Sequence, residues 1–533
     1  MKKLLLFLLL LTSTITKAQI GGGYDFALNF GGAGSTINEM RYDANGNLFF
    51  TATIWGKCIF AGTQLNPGGY GTQALNEVIY GKISPDGTQT LLKRNIGSLH
   101  GRFDADGNLY AILSVGFPTA PVDYGNGIIN NTNGVKLLKI SNTGVAQWMK
   151  NIDTGSDVLS GESGKAAATI TGMQITPDGN IFAVIAANNP SRNPPNAQFT
   201  YPNRIIKFNP SGDELWHTDV FSYSLYQISV PRIFVDDAGQ VTFGLYNNDN
   251  KLYYNGEAIA SQMSNYLSSA YSIVISLNAD GSKKSAFADT KSSTAIVVFE
   301  GLNPINGNLY LNYSFSGNVK PTEAPFKDVV PIVQGGSTYA ATGIMGLNSA
   351  GQYLDFKTAV DYKPNYEDIF RYGSNFVSIA NKSANSVYEQ GNYLFNDAKN
   401  YSVIEFLDQD FNFVKAFKVP ESSIAALFQN KVAFGGAFKG NLTFGTTTLT
   451  QSFNDTDFQT LYPSYASLKA DIFIAVADTN SIVTPAPANW LGVDNNWNNT
   501  ANWSTGLVPD VSTIVKFNAN TAQIVSSPKN STV

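Results

Sequence analysis

The chain has 533 residues, with 40 acidic against 35 basic side chains and a single cysteine, Cys58. An acidic balance of this kind excludes a basic nucleic-acid surface as the organising feature, and one cysteine excludes internal disulfides, so a hydrophobic core must hold the chain. With 26 Tyr, 34 Phe and 48 Gly but only 14% charged residues, the composition favours strands over solvated helices.

In chain order, Met1 to Ala18 comes first: two lysines, an unbroken apolar stretch from Leu4 to Leu11, a Thr/Ser segment and "TKA". This is the layout of a cleaved secretory signal over residues 1–18, too short to span a bilayer. No cysteine follows the expected cut, which argues against a lipid anchor, and no later segment is apolar for long enough to form a spanning helix. The mature chain is expected to be exported, at the cell surface or beyond it. Loss of Lys2, Lys3 and Lys17 leaves 40 acids against 32 bases.

Next, one short pattern recurs: "YDANGNLFFTA" from Tyr42, "FDADGNLYAIL" from Phe103, "ITPDGNIFAVI" from Ile175, "VDDAGQVTFGL" from Val235 and "NPINGNLYLNY" from Asn303, with weaker copies at Arg371 and Leu427. Each copy but the last is followed by a second alternating stretch with its own turn, such as "IYGKISPDGTQTLL" from Ile79 and "IIKFNPSGDELWHT" from Ile205. The glycines of the first five copies are 61, 72, 60 and 68 residues apart. Two hairpins per unit make a four-stranded antiparallel sheet, and seven such units predict an all-β, seven-bladed β-propeller over residues 19–480. In the seventh unit, Ile424–Phe428, Lys431–Phe438 and Asp471–Ala477 supply three strands. The fourth is expected from Phe26–Phe30 at the other end of the chain, which would close the ring.

The Asp-rich stretch Asp104, Asp106, Asn108 has the spacing of a calcium loop. Its twelfth position is Val115 rather than glutamate, and copies with fewer acids keep the same spacing. It is read as a hairpin turn, with Gly107 supplying the positive φ; no metal site and no cofactor are predicted.

Alternation places the two turns of each unit at one edge, and the long connections between second and third strands at the other. These connections cover 55–76, 116–135, 188–203, 248–271, 317–341, 383–401 and 438–470, and are rich in Tyr, Asn, Gly and Pro. A flat ring with a polar tip suits a sugar face or a protein partner, so Tyr201, Tyr253 and Tyr393 are the candidate ligand-binding residues. An aromatic-then-turn fragment recurs in the same connections around Phe60, Tyr124, Tyr254 and Phe444 and reads as a small accessory hairpin whose aromatic packs inward.

Taken together, "LNFGGAGST", "YDANGNLFFTATIWG" and "GKISPDG" resemble the bacterial propeller repeats of secreted and surface proteins known as SBBP-type repeats, across about Phe26 to Asn480. The resemblance implies an exported propeller and no particular reaction. A Pro/Ala linker, 481–489, leads to a tail over 490–533 with Trp490, Trp497 and Trp503 within fourteen residues. This tail resembles the opening of Trp-rich modules in large Bacteroidota proteins, many of which use type IX secretion. The module breaks off about forty residues in, at Val533, which points to a fragment or a truncated product.

The inventory for catalysis is thin. His100 and His217 lie near no readable nucleophile or ligand set, and no G-x-S-x-G, H-E-x-x-H, P-loop or C-x-x-C occurs. Asp289, Glu300, Glu323, Asp328, Glu367 and Asp368 are the acids that would serve a polysaccharide hydrolase or lyase. The leading expectation is a non-catalytic binding or adhesion module for a glycan or protein, with a hydrolase or lyase and a structural spacer as the alternatives. Surface-assembly or secretion components are further candidate partners; nucleic acid and a membrane span are not expected.

Overall fold

The computed structural model describes the strands and most short turns between residues 24 and 516. Residues 1–23, 66–76, 153–167, 188–202, 223–232, 259–270, 289–294, 303–308, 318–331, 359–368, 452–470, 481–487 and 517–533, with shorter stretches between strands, lie outside the described residues. Among those described, the chain is all-β apart from one short 3-10 turn, Thr500–Asn502, and forms seven antiparallel sheets of four or six strands.

The first sheet is Thr36–Tyr42, Leu48–Ile54, Glu77–Ile83 and Gln89–Lys93, each paired with the next. The second (His100–Phe103, Leu109–Val115, Gly134–Ile140, Ala146–Asn151) repeats that order. So do the third (Ala168–Ile175, Ile181–Ala187, Asn203–Phe208, Glu214–Ser222) and the fourth (Ile233–Val235, Val241–Asn247, Tyr271–Leu277, Lys283–Ala288). The fifth is built on the long pair Leu309–Gly317 and Thr338–Leu347, with two short strands flanking the former and Ile332–Gln334 and Tyr353–Thr358 the latter. The sixth is Ile369–Tyr372, Asn375–Lys382, Tyr401–Leu407 and Phe413–Pro420.

In the seventh sheet, Ile424–Phe428, Lys431–Phe438 and Asp471–Asp478 pair in turn, and Tyr24–Phe30 is the neighbour of Asp471–Asp478. The strand from the start of the chain therefore completes a sheet whose other members lie some four hundred residues later. Central strands such as "LFFTATI" and "DIFIAVAD" are buried almost end to end, which explains their near-continuous apolar sequence.

By their contacts the strands form two compact units. One holds the first five sheets; the other holds the sixth and seventh sheets, the N-terminal strand through Asn29, and the Trp-rich segment. Within the first unit the opening strands of sheets one to five stand side by side in chain order.

Eight hairpin turns of the first unit share one backbone pattern. In each, the carbonyl of Asp43, Ser84, Asp104, Ser141, Thr176, Asn209, Asp236 or Asn278 accepts from the glycine three residues on, and its N–H donates to the carbonyl four residues on. All eight glycines have φ between 76 and 85°. The connection is thus a three-residue turn ending in a left-handed glycine, one residue longer than a tight Asn-Gly hairpin.

Four of these glycines also seat one sheet on the previous one. A Cβ on Gly107 would lie 2.3 Å from the Phe49 ring, one on Gly212 2.6 Å from Trp148, one on Gly281 2.8 Å from Trp216, and one on Gly144 2.1 Å from the Leu92 carbonyl oxygen. The Tyr80 hydroxyl donates to the Gly107 carbonyl, and Trp216 Nε1 donates to the Ala279 carbonyl at 2.9 Å.

A side chain at Gly144 must both strain φ and displace a backbone carbonyl, whereas Gly127, at φ 74°, has open space around it. Gly144→Ala is expected to cost about 2–4 kcal/mol and Gly127→Ala about 1, measured by denaturant unfolding. Equal losses would contradict the seating role.

Candidate functional site

The two edges of a sheet are distinguishable in the first unit. Asn142, in the second turn of sheet two, donates from Nδ2 to the Asp106 carbonyl at 2.9 Å and from its N–H to Asn108 Oδ1 at 3.0 Å, so both turns of that sheet share one edge. The Asp104 carboxylate is engaged within the turn there. Asp104 Oδ1 accepts from the N–H groups of Asp106 and Asn108, and Oδ2 from Asn108 Nδ2. Asp43 repeats the arrangement, whereas in "TPDG" it is Asp178, just before the glycine, that accepts from Thr176 and Asn180. These hydrogen bonds hold the Asp178 carboxyl below the usual carboxylate range against the opposing effect of burial.

Along the opening strands a second repeat emerges that the sequence did not disclose. The residue two before the turn reaches the next sheet: Arg41 donates to the Phe103 carbonyl at 2.9 Å, and Arg102 to that of Met173 at 3.2 Å. Gln174 exchanges two hydrogen bonds with the backbone of Val235. Arg102 also pairs with Glu39 at 2.5 Å. In sequence the only signal was a long polar side chain at a fixed offset from the turn.

At the opposite edge, the outer two strands are tied by polar pairs: Glu77 with Arg94 at 2.5 Å, Lys136 with Asn151 at 2.8 Å, and Arg204 with Asp219 through two bonds of 2.7 and 2.8 Å. Glu77, Lys136 and Arg204 are buried, so removing one partner would strand a buried polar group.

The accessory hairpins form as expected at Cys58–Phe60/Thr63–Leu65, Val122–Asp123/Ile129–Asn130, Leu252–Tyr254/Glu257–Ala258 and Asn441–Phe444/Thr447–Thr450, and a fifth that the recurring fragment did not mark forms at Tyr388–Gln390/Tyr393–Phe395. Phe60, Tyr124 and Phe444 are buried; the side chain of Tyr254 lies outside the described residues. Phe60 packs on Phe30 and Phe50, and Tyr124 donates to the Ile96 carbonyl, at the end of sheet one, at 3.1 Å. Phe444 stacks on Phe434, Phe473 and Tyr24.

Several hairpins sit against outer strands. Lys93, ending the outer strand of sheet one, donates to the Tyr124 carbonyl at 2.6 Å, and Leu252–Tyr254 pairs directly with the outer strand Glu214–Ser222 of sheet three. An outer strand is otherwise an open row of backbone donors and acceptors.

Of the candidate ligand residues, Tyr253 lies in that rim hairpin, its backbone partnered by Phe221 and Ala258. Tyr393 begins a hairpin strand opposite Gln390. They belong to different units, and Tyr201 lies outside the described residues. Asp289, Glu300, Glu323, Asp328, Glu367 and Asp368 also lie outside them. His100 opens the first strand of sheet two, and His217 Nδ1 lies 2.6 Å from Glu214 in an outer strand. Among the described residues no cluster of His, Cys, Asp and Glu has a metal-binding arrangement, and no helix is long and apolar enough to cross a membrane.

No protein-family model and no curated protein matches the chain. Similar solved structures include the β-propeller domain of the Trilobed protease from Pyrococcus furiosus, at 6% identity and TM-score 0.39 over 75% of this chain and 91% of that one. Others are a protein of unknown function from Dyadobacter fermentans (10%, TM-score 0.34, covering 86% and 100%) and an acylaminoacyl peptidase from Pyrococcus horikoshii (8%, TM-score 0.41, covering 80% and 54%).

Phe60→Ala is expected to cost about 3–5 kcal/mol and Ile59→Ala, on the exposed side of the same hairpin, less than about 0.5. Burial pushes the hydroxyls of Tyr24 and Tyr124 up to about 12. The folded state therefore holds these protons more tightly than the unfolded one, so stability is intact below about pH 10 and falls as pH rises toward 12. Tyr24→Phe and Tyr124→Phe should each flatten that fall in alkaline unfolding curves.

Proposed function

We propose that the chain is an exported, seven-bladed β-propeller that acts as a non-catalytic binding module for a glycan or a protein at the cell surface. Each of the seven sheets is one blade, and the N-terminal strand completes the last. The ligand is met by the Tyr- and Asn-rich connections at the edge away from the glycine turns.

The observation that carries this reading is the contrast between the two edges. The turn edge is consumed by backbone hydrogen bonds and by packing onto the neighbouring sheet. The opposite edge carries the long connections, anchored by buried hairpin aromatics and by polar pairs between outer strands. A rigid frame under variable loops is how binding surfaces are commonly built. The described acids at that edge support binding over hydrolysis, because Glu77 and Asp219 are engaged by arginines rather than converging on one another.

The secretory reading rests on the N-terminal segment, and the surface reading on the resemblance to SBBP-type repeats and to Trp-rich modules of type IX-secreted proteins. Carbohydrate-array binding by the mature chain, run beside a polysaccharide-degradation assay, tests the function. Alanine at Tyr201, Tyr253 and Tyr393 is expected to weaken the ligand found by about tenfold in total, while Asp104→Asn leaves affinity unchanged. Depolymerisation of a polysaccharide, or loss of binding on changing Asp104 alone, would overturn it.

A further inference from the structure

The seam of the seventh sheet has a feature that strand pairing alone does not require. Its N-terminal strand is held by side chains that act as a code. Tyr24 stands edge-on to Phe434 and Phe444, with ring centroids 6.2 and 5.4 Å apart. Asp25 forms an ion pair of 2.5 Å with Lys431, whose backbone partner in the sheet is Asp478. Asn29 donates from Nδ2 to the fully buried Asp471 at 2.8 Å and to the Thr450 carbonyl at 3.1 Å.

Lys431 and Asp471 lie at opposite ends of the strand pair Lys431–Phe438 and Asp471–Asp478. The two polar contacts therefore fix both the direction and the register of whatever strand occupies the edge. A strand slipped by one residue would set Asp25 and Asn29 on the wrong face and leave Asp471 without the amide that reaches it.

The strand is also connected in a way that permits exchange. By its contacts it belongs with the sixth and seventh sheets through Asn29, while the chain from Phe30 onward belongs with the first five. The link to the first sheet is Gly31 to Ser35, in which Gly31 and Gly34 take positive φ of 99 and 84°. A glycine-rich link beside a terminal strand is an arrangement from which identical chains exchange elements, and here exchange requires only that Phe30 give up its packing on Phe50 and Phe60.

We propose that the edge of Asp471–Asp478 is a strand-acceptor site that selects an extended segment reading aromatic, acid, then an amide four residues after the acid, and that its ligand in trans is the N-terminal strand of a second copy of this chain. The proposal rests on the reading of Tyr24–Phe30 as the closing strand. It is independent of what binds at the loop edge.

The test uses the full mature chain and a fluorescent synthetic peptide covering residues 22–32. In the wild-type chain the site is filled, and the peptide is expected to bind weakly. Asp25→Lys sets two cations together and loosens the resident strand, so the same peptide should bind that variant about tenfold more tightly. The double variant Asp25→Lys with Lys431→Asp restores the pair in reverse and should again exclude the peptide. A peptide carrying lysine at the position of Asp25 should fail on the Asp25→Lys chain. Thermal melting supplies the second reading, with the midpoint lowered in the single variant and recovered in the double. Equal peptide binding by all three chains, absence of binding to the folded Asp25→Lys chain, or no recovery of melting in the double variant would overturn the proposal.

Discussion

The first unit depends on how the turn glycines of sheets two, three and four, Gly107, Gly144, Gly212 and Gly281, are seated against the sheet before. A four-stranded sheet of this size cannot bury both of its faces by itself, so each must be covered by its neighbours. At Gly107, Gly144, Gly212 and Gly281 the chain comes so close to the preceding sheet that no side chain fits. The left-handed φ of these residues and the missing Cβ are one requirement met twice. The turn needs glycine for its backbone, and the packing needs glycine for its surface.

From that constraint the division of labour between edges follows. The turns cannot vary without disturbing the seat, and Arg41, Arg102 and Gln174 tie the opening strands by reaching from sheet to sheet. Among the described residues, the connections at the other edge contribute one buried aromatic in each of the hairpins of Phe60, Tyr124 and Phe444. These hairpins guard outer strands at the same time, most directly where Leu252–Tyr254 adds to the third sheet. Part of the aromatic richness of the connections is therefore rim packing, and only residues outside the wedge positions are available to the ligand of the proposed function.

Much of this was legible in the sequence. The recurring Asp/Asn–Gly stretches located the hairpins, and the strands of the seventh sheet fell where alternation put them, with Tyr24–Phe30 beside Asp471–Asp478. The weaker copies are weak for a physical reason. Tyr372 pairs with Asn375 and Phe428 with Lys431, leaving two-residue connections that have no room for the Asp-x-x-Gly turn. In the second of these the positive φ falls on Gln429. The fifth sheet, marked by the copy from Asn303, departs from the four-in-a-row order because two short strands share its first position. The sheet-to-sheet contacts of Arg41, Arg102 and Gln174 were invisible, since a polar residue in a strand reads as solvent-facing until its neighbour is known. The tryptophan-rich tail showed as composition only. Its order comes from Asp494 and Asn502 bonding one another and from Trp503 stacked between Trp490 and Trp497.

The central claim is that the N-terminal strand completes the seventh sheet, so that Asp471–Asp478 is paired on both sides. Native-state hydrogen exchange on the intact chain reads this directly at Asp471–Asp478, the strand between Lys431–Phe438 and the N-terminal strand. The account predicts protection there equal to that of Leu48–Ile54, an interior strand of the first sheet, because both have hydrogen-bonded partners on each side. Rapid exchange along Asp471–Asp478, at the rate of an outer strand while Leu48–Ile54 stays protected, would contradict it.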